Sequence, residues 1–179
     1  LYDIDDIRNI QDGAADLVIR AHGIPPWIYD KLKTYSNFSI IDRTCPYVQK
    51  IHRLVNKKYK EGYKIIIVGD KKHPEVIGIN GECEDSAIII NSIEDVYNLG
   101  EIKGKICVVS QTTFNQNKWE TLASALKEKY NEIELFNTIC NSTSIRQKEA
   151  EEIAKKVDMM IVIGGKNSSN TRKLYEICK

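Results

Sequence analysis

Strand-sized runs of Ile and Val alternate with amphipathic segments along almost the whole chain, and this alternation constrains the fold more than any other feature. Residues 16–19, 39–41, 64–68, 87–90, 106–109, 132–136 and 159–163 read as strands. Most of these runs are continuous rather than alternating in hydrophobicity, the pattern of strands covered on both faces by helices. Between them, residues 46–61 place Tyr47, Val48, Ile51, Leu54, Val55 and Tyr59 on one stripe at helical spacing. Pro46 suits the first helical position, where a missing amide donor costs nothing, and Gly62 stops the helix. Residues 115–130 and 144–157 repeat the pattern. The expected fold is α/β, with small parallel sheets flanked by helices.

Composition narrows the function classes. The chain of 179 residues is 42% hydrophobic and 28% charged, with a formal net charge of +1. That balance carries no electrostatic footprint for nucleic acid. No apolar run approaches the roughly 20 residues of a membrane-spanning helix. Five cysteines at wide, irregular spacing do not make a secreted disulfide scaffold, so reduced thiols in a cytoplasmic protein are expected. The chain starts at Leu1 without a basic-then-apolar leader, which reads as an internal cut.

In open α/β sheets, ligands bind beyond the carboxyl ends of the strands. The reactive residues concentrate there: Ala21-His22-Gly23, Thr44-Cys45-Pro46, Lys72-His73-Pro74-Glu75, Gln111-Thr112-Thr113, Ile139-Cys140-Asn141 and Asn167-Ser168-Ser169-Asn170. The exit at Asn91-Ser92 offers only a helix cap, with Glu94 and Asp95 in the next turn. Cys45 sits at the cap of a helix, whose dipole favours the metal-binding thiolate, although a lone cysteine is commonly a small buried apolar residue. Cys140 has the same two readings. Cys83, Cys107 and Cys178 keep the inert one, and His52 receives no role. His22 and His73 at neighbouring exits fit capture of an anion; the plainer reading is a histidine satisfied by a loop carbonyl. Glu75 is either a first-turn helix carboxylate or a proton donor. The Ser168-Ser169-Asn170 stretch opens a helix after Gly164-Gly165, a ready phosphate cradle or a simple N-cap.

Taken in order, the motifs AHG (Ala21 to Gly23), TCP (Thr44 to Pro46), HPE (His73 to Glu75), QTT (Gln111 to Thr113), IC (Ile139, Cys140) followed by Arg146-Gln147, and KNSSN (Lys166 to Asn170) resemble the 4-hydroxy-3-methylbut-2-enyl diphosphate reductase family of the methylerythritol phosphate isoprenoid pathway. The resemblance runs from about Leu17 to the end of the chain. It implies three α/β units around a central cavity, met here as residues 1–45 (end of a first unit), 46–137 (a complete second) and 138–179 (start of a third). It also implies a 4Fe–4S cluster held by three cysteines, of which Cys45 and Cys140 match two; the third is expected outside this chain. His22, His73, Thr113, Ser168, Ser169 and Asn170 match positions that bind the diphosphate. Glu75 matches the proton donor and Thr112 the hydroxyl beside it. The implied reaction is reductive dehydroxylation to isopentenyl and dimethylallyl diphosphate, with electrons from a donor such as ferredoxin or flavodoxin. The chain by itself is expected to be an inactive fragment. Two other readings stay open on the residues: a non-redox module holding a phosphorylated small molecule through His22, His73 and the Ser-Ser-Asn stretch, and a hydrolytic zinc site of His73, Glu75 and Cys45.

Overall fold

A computed structural model describes residues 15–36, 38–166 and 168–179. Asn167 of the KNSSN motif lies outside the described residues. The chain runs β1 (Ala15–Ile19), α1 (Pro26–Lys33), β2 (Phe38–Asp42), α2 (Pro46–Lys60), β3 (Lys64–Val68), α3 (Pro74–Gly81), β4 (Ile88–Ile90), α4 (Ile93–Asn98), β5 (Ile106–Ser110), α5 (Gln116–Lys129), β6 (Ile133–Phe136), α6 (Asn141–Ala154) and α7 (Ser169–Cys178). The described strands form two sheets, a two-stranded β1-β2 and a four-stranded β4-β3-β5-β6. Every pairing is parallel.

The continuous apolar runs have a direct structural cause. Successive strand residues point to opposite faces, and in β3 and β5 both faces are covered. Ile66, Val68, Ile106 and Val108 meet Trp119, Leu122 and Leu126 of α5. Ile65, Ile67, Cys107 and Val109 meet Ile51 and Val55 of α2 and Val76 and Ile79 of α3. Burying an aliphatic side chain of this size contributes roughly 1.5–3 kcal/mol. The central pair of strands therefore supplies the rigid floor on which the exits stand.

Two expectations need correction. Residues 159–163 form no strand; they find no ladder partner among the described residues, and Met159, Ile161 and Ile163 are 77%, 75% and 91% exposed. An apolar run has strand propensity, but a strand exists only where another edge satisfies its backbone. The helix expected over 144–157 begins earlier, at Asn141, because Cys140 is its N-cap. A further helix, α1, opens with Pro26 at its first position and buries Leu32.

Candidate active site

The hydrogen-bonding of the parallel ladders continues past the strand ends and places the exits side by side. Beyond β1 and β2, Arg43 N–H donates to the Ile19 carbonyl (3.0 Å) and Cys45 N–H to the Ala21 carbonyl (3.0 Å). Beyond β5 and β6, Thr138 accepts from the Ser110 N–H (2.8 Å), and Cys140 N–H donates to the Thr112 carbonyl (2.9 Å). Each cysteine thus hangs by its backbone from a neighbouring exit loop, Cys45 beside His22 and Cys140 beside the Thr112–Glu75 pair. Both are partly buried N-cap residues whose side chains make no cap bond, of α2 and α6 respectively.

The other cysteines contrast with them. Cys83 and Cys107 are fully buried in the core. Burial pushes the Cys83 thiol up, and that of Cys107 up to about 12. Cys83 also donates to the Asn80 carbonyl (3.1 Å). These two are packing residues. Cys178 ends α7.

Glu75 occupies the first turn of α3 and is 2% exposed. Thr112 grips both carboxyl oxygens: its N–H donates to Oε1 (2.6 Å) and its hydroxyl bonds Oε2 (2.7 Å). Burial raises the Glu75 pKa above its ordinary value, opposed by these two hydrogen bonds. A carboxyl group in such a place retains its proton more readily than one in water. His73 caps α3, its Nδ1 accepting the Glu75 N–H (3.2 Å). In the neutral ring that assigns the proton to Nε2. His22 and His73 meet edge to face with ring centroids 5.2 Å apart. Burial lowers the pKa of both, helped for His73 by His22 and for both by Arg20. His22 Nδ1 is buried without a partner.

Thr113 and Ser169 hydroxyls bond one another (3.0 Å), and Gln111 Nε2 donates to both, at 3.0 Å and 3.3 Å. Gln111 Oε1 in turn accepts the Asp70 N–H (3.1 Å). This approach depends on Gly69, where a Cβ would lie 2.8 Å from Val76 and 3.0 Å from Gln111 Cβ. Ser168 spends its hydroxyl on capping α7, accepting from Thr171 N–H (3.2 Å). Asn170 Oδ1 is buried and unpartnered. His73, Gln111 and Ser169 line one cavity of about 610 Å³ together with Lys72, Arg172 and Lys173.

The structure therefore brings Glu75 to Thr112, His22 to His73, and Ser169 to Thr113. Among the described residues no three His, Cys, Asp or Glu side chains come close enough to hold a metal ion, so the zinc site of His73, Glu75 and Cys45 does not form. Gln111, Ser110 and Thr138 received no role from sequence. Gln111 stood in the QTT motif, but nothing in one dimension shows a strand-exit amide bridging two other exits. No described helix is long and apolar enough to cross a membrane.

A family model described as LytB protein matches residues 3–179. The chain is 53% identical over 163 residues to the 4-hydroxy-3-methylbut-2-enyl diphosphate reductase of Caldanaerobacter subterraneus subsp. tengcongensis, which covers 91% of this chain and 56% of that protein. It is 47% identical over 178 residues to the protein of that name from Clostridioides difficile, covering 99% of this chain and 62% of that one. The solved structure of the E-1-hydroxy-2-methyl-but-2-enyl-4-diphosphate reductase from Plasmodium falciparum superposes with a TM-score of 0.89 at 36% identity, over 97% of this chain and 55% of that one. This chain spans little more than half the length of these relatives. With motif order, parallel architecture and near-complete coverage in agreement, the chain belongs to the LytB protein family.

Proposed function

We propose that the whole protein carrying these residues reduces 4-hydroxy-3-methylbut-2-enyl diphosphate to isopentenyl and dimethylallyl diphosphate. The observation that carries this reading is Glu75: a carboxyl group 2% exposed, held at both oxygens by Thr112, whose carbonyl accepts the Cys140 N–H. Reductive loss of a hydroxyl requires a proton for the departing oxygen, and a buried carboxylic acid beside a hydroxyl supplies one. In the protonated state Glu75 Oε2–H donates to Thr112 Oγ1, which frees the threonine's own hydrogen for the substrate oxygen.

The diphosphate is met by neutral donors beside the cationic Lys72, Arg172 and Lys173 that line the same cavity. With Nδ1 occupied by the Glu75 amide, His73 offers Nε2–H, and Thr113, Ser169 and Gln111 supply further donors. A bound diphosphate favours the imidazolium form of His22, against the burial that disfavours it, while His73 stays neutral because its Nδ1 accepts the Glu75 N–H. The Asn170 side chain, turned to present its amide hydrogens, completes the set.

The donor chemistry fits part of an iron–sulfur site: two partly buried thiols at helix N-caps, neither spent on a cap bond. Cys45 and Cys140 are the residues that would hold a 4Fe–4S cluster, with a third ligand from outside the described residues. When bound, the cluster supplies electrons one at a time and a Lewis-acidic iron. A one-electron donor such as ferredoxin or flavodoxin and a cytoplasmic location belong to the same reading. So does the division into units at about residues 45 and 137, supported by the change of sheet after β2.

The test is anaerobic reconstitution of the whole protein, followed by iron and sulfide analysis and an assay for the two isoprenoid diphosphates. Cluster and products together support the reading. Diphosphate binding without a cluster or reduction would replace it with the non-redox module, which the cavity lined by Lys72, Arg172 and Lys173 also fits.

A further inference from the structure

His52 has no part in the chemistry described so far, yet it joins the elements that carry it. It lies on α2, seven residues beyond the Cys45 cap, with its side chain 12% exposed. Nδ1 meets Glu82 Oε1 at 2.9 Å, just beyond the end of α3, and Asn56 Nδ2 donates to Glu82 Oε2 (3.2 Å). That carboxylate leaves one ring orientation. The opposite edge of the ring enters a slot between two glycines. A Cβ at Gly23 would lie 3.1 Å from His52 Cε1 and 3.2 Å from Nε2; one at Gly78 would lie 3.3 Å from both. Gly23 has φ +71° in the turn that follows His22, and Gly78 stands three residues after Glu75 in α3. A Cβ at Gly78 would also lie 3.5 Å from the His22 carbonyl oxygen. Nε2 is buried with no hydrogen-bond partner.

A polar ring atom buried without a partner is destabilising. The cost is hard to explain by packing, since an aliphatic side chain would fill a slot between glycines without it. We propose that His52, oriented by Glu82 and Asn56, is a positioning residue for the proposed reductase: its ring sets the separation between the His22 turn and the Glu75 helix. The inference rests on the assignment of His22, His73 and Glu75 to the substrate site. A misplacement of about 1 Å in such a site costs on the order of 100-fold in rate.

The test compares His52→Asn and Glu82→Gln with wild type in the cluster-loaded whole protein. Asparagine retains a donor toward Glu82 but lacks the edge between the glycines. Val55→Ala, fully buried on the same helix and outside the site, is the control for general destabilisation. Three quantities are measured: kcat and KM for the diphosphate substrate, pyrophosphate affinity by calorimetry, and Tm. For His52→Asn the expectation is a fall in kcat of roughly 10- to 100-fold and a change in pyrophosphate affinity, with a smaller loss for Glu82→Gln. Val55→Ala should lower Tm while leaving kcat of the folded enzyme unchanged. Wild-type kcat and pyrophosphate affinity in both His52→Asn and Glu82→Gln would overturn the proposal, as would losses matched by Val55→Ala at equal Tm. A wild-type protein that neither reduces the substrate nor binds pyrophosphate overturns the site assignment and this inference with it. If it binds pyrophosphate without reducing the substrate, only the reductase reading falls, and the affinity comparison still decides the role of His52.

Discussion

The two ends of the four-stranded sheet treat ionisable groups in opposite ways. At the amino end, Lys58 pairs with Glu134 (2.7 Å), Tyr63 donates to Glu134, and the ammonium lies over the Tyr63 ring, 4.3 Å from its centroid. The pairing raises the lysine pKa and lowers that of Glu134, so both stay charged. At the carboxyl end, burial raises Glu75 and lowers His22 and His73, so all three lean toward neutrality. Charges that only hold a structure together are stabilised as charges. Glu75, the proposed proton donor, is kept close to the form that can give a proton.

The largest effect expected from this contrast is at the thiols. In the whole protein, Cys140→Ser should abolish the broad visible absorbance of a reconstituted cluster, whereas Cys107→Ser, deep in β5, should keep it. Loss of absorbance in Cys107→Ser would reverse the assignment of ligand and packing residue. Next come the histidines. Hydrogen bonds to charged groups contribute about 1.5–3 kcal/mol each, so His73→Ala should weaken pyrophosphate binding by roughly 10- to 100-fold in calorimetry. An unchanged affinity would remove His73 from the anion site.

The pH dependence of stability separates the ends further. Because the folded pKa of Glu75 lies above 4.5, the folded chain holds this proton more tightly than the unfolded one. Its contribution is present below about pH 4.5 and is lost as pH rises through the folded value. His22 and His73, lowered below 6.5, act oppositely: their contribution is present above 6.5 and is lost as pH falls through their folded values. Denaturant unfolding at several pH values should therefore show Glu75→Gln flattening the decline on the rising-pH side, with the histidine limb unchanged. The smallest effect is expected at the amino end. Lys58→Met should lower Tm slightly in a melting experiment and leave turnover untouched; a loss of turnover would show the two ends to be coupled.

Much of this arrangement is legible in the sequence, for reasons that differ by element. β3 and β5 are readable because a strand covered on both faces must be apolar at every position, as Ile65 to Val68 and Ile106 to Val109 are. The exits are readable because motif residues follow those runs directly. The run from Met159 to Ile163 misleads because propensity says nothing about whether a partner edge is present. Contacts between exits are not legible at all. The Ser110–Thr138 clasp joins residues 28 apart, and His52 reaches Glu82 across 30. A short histidine-to-carboxylate distance has no signature in a single sequence, which is why His52 looked like an ordinary helical residue.

The most direct measurement is a single turnover by the reduced whole protein carrying Glu75→Gln, with cluster content and pyrophosphate affinity determined on the same sample. Glutamine retains the contacts with Thr112 but has no acid proton to give. The expected result is an intact cluster, near-wild-type affinity and a loss of dehydroxylation of at least about 100-fold, the usual scale of general acid catalysis. Wild-type product formation by that variant would contradict the role given to the carboxyl end of the sheet.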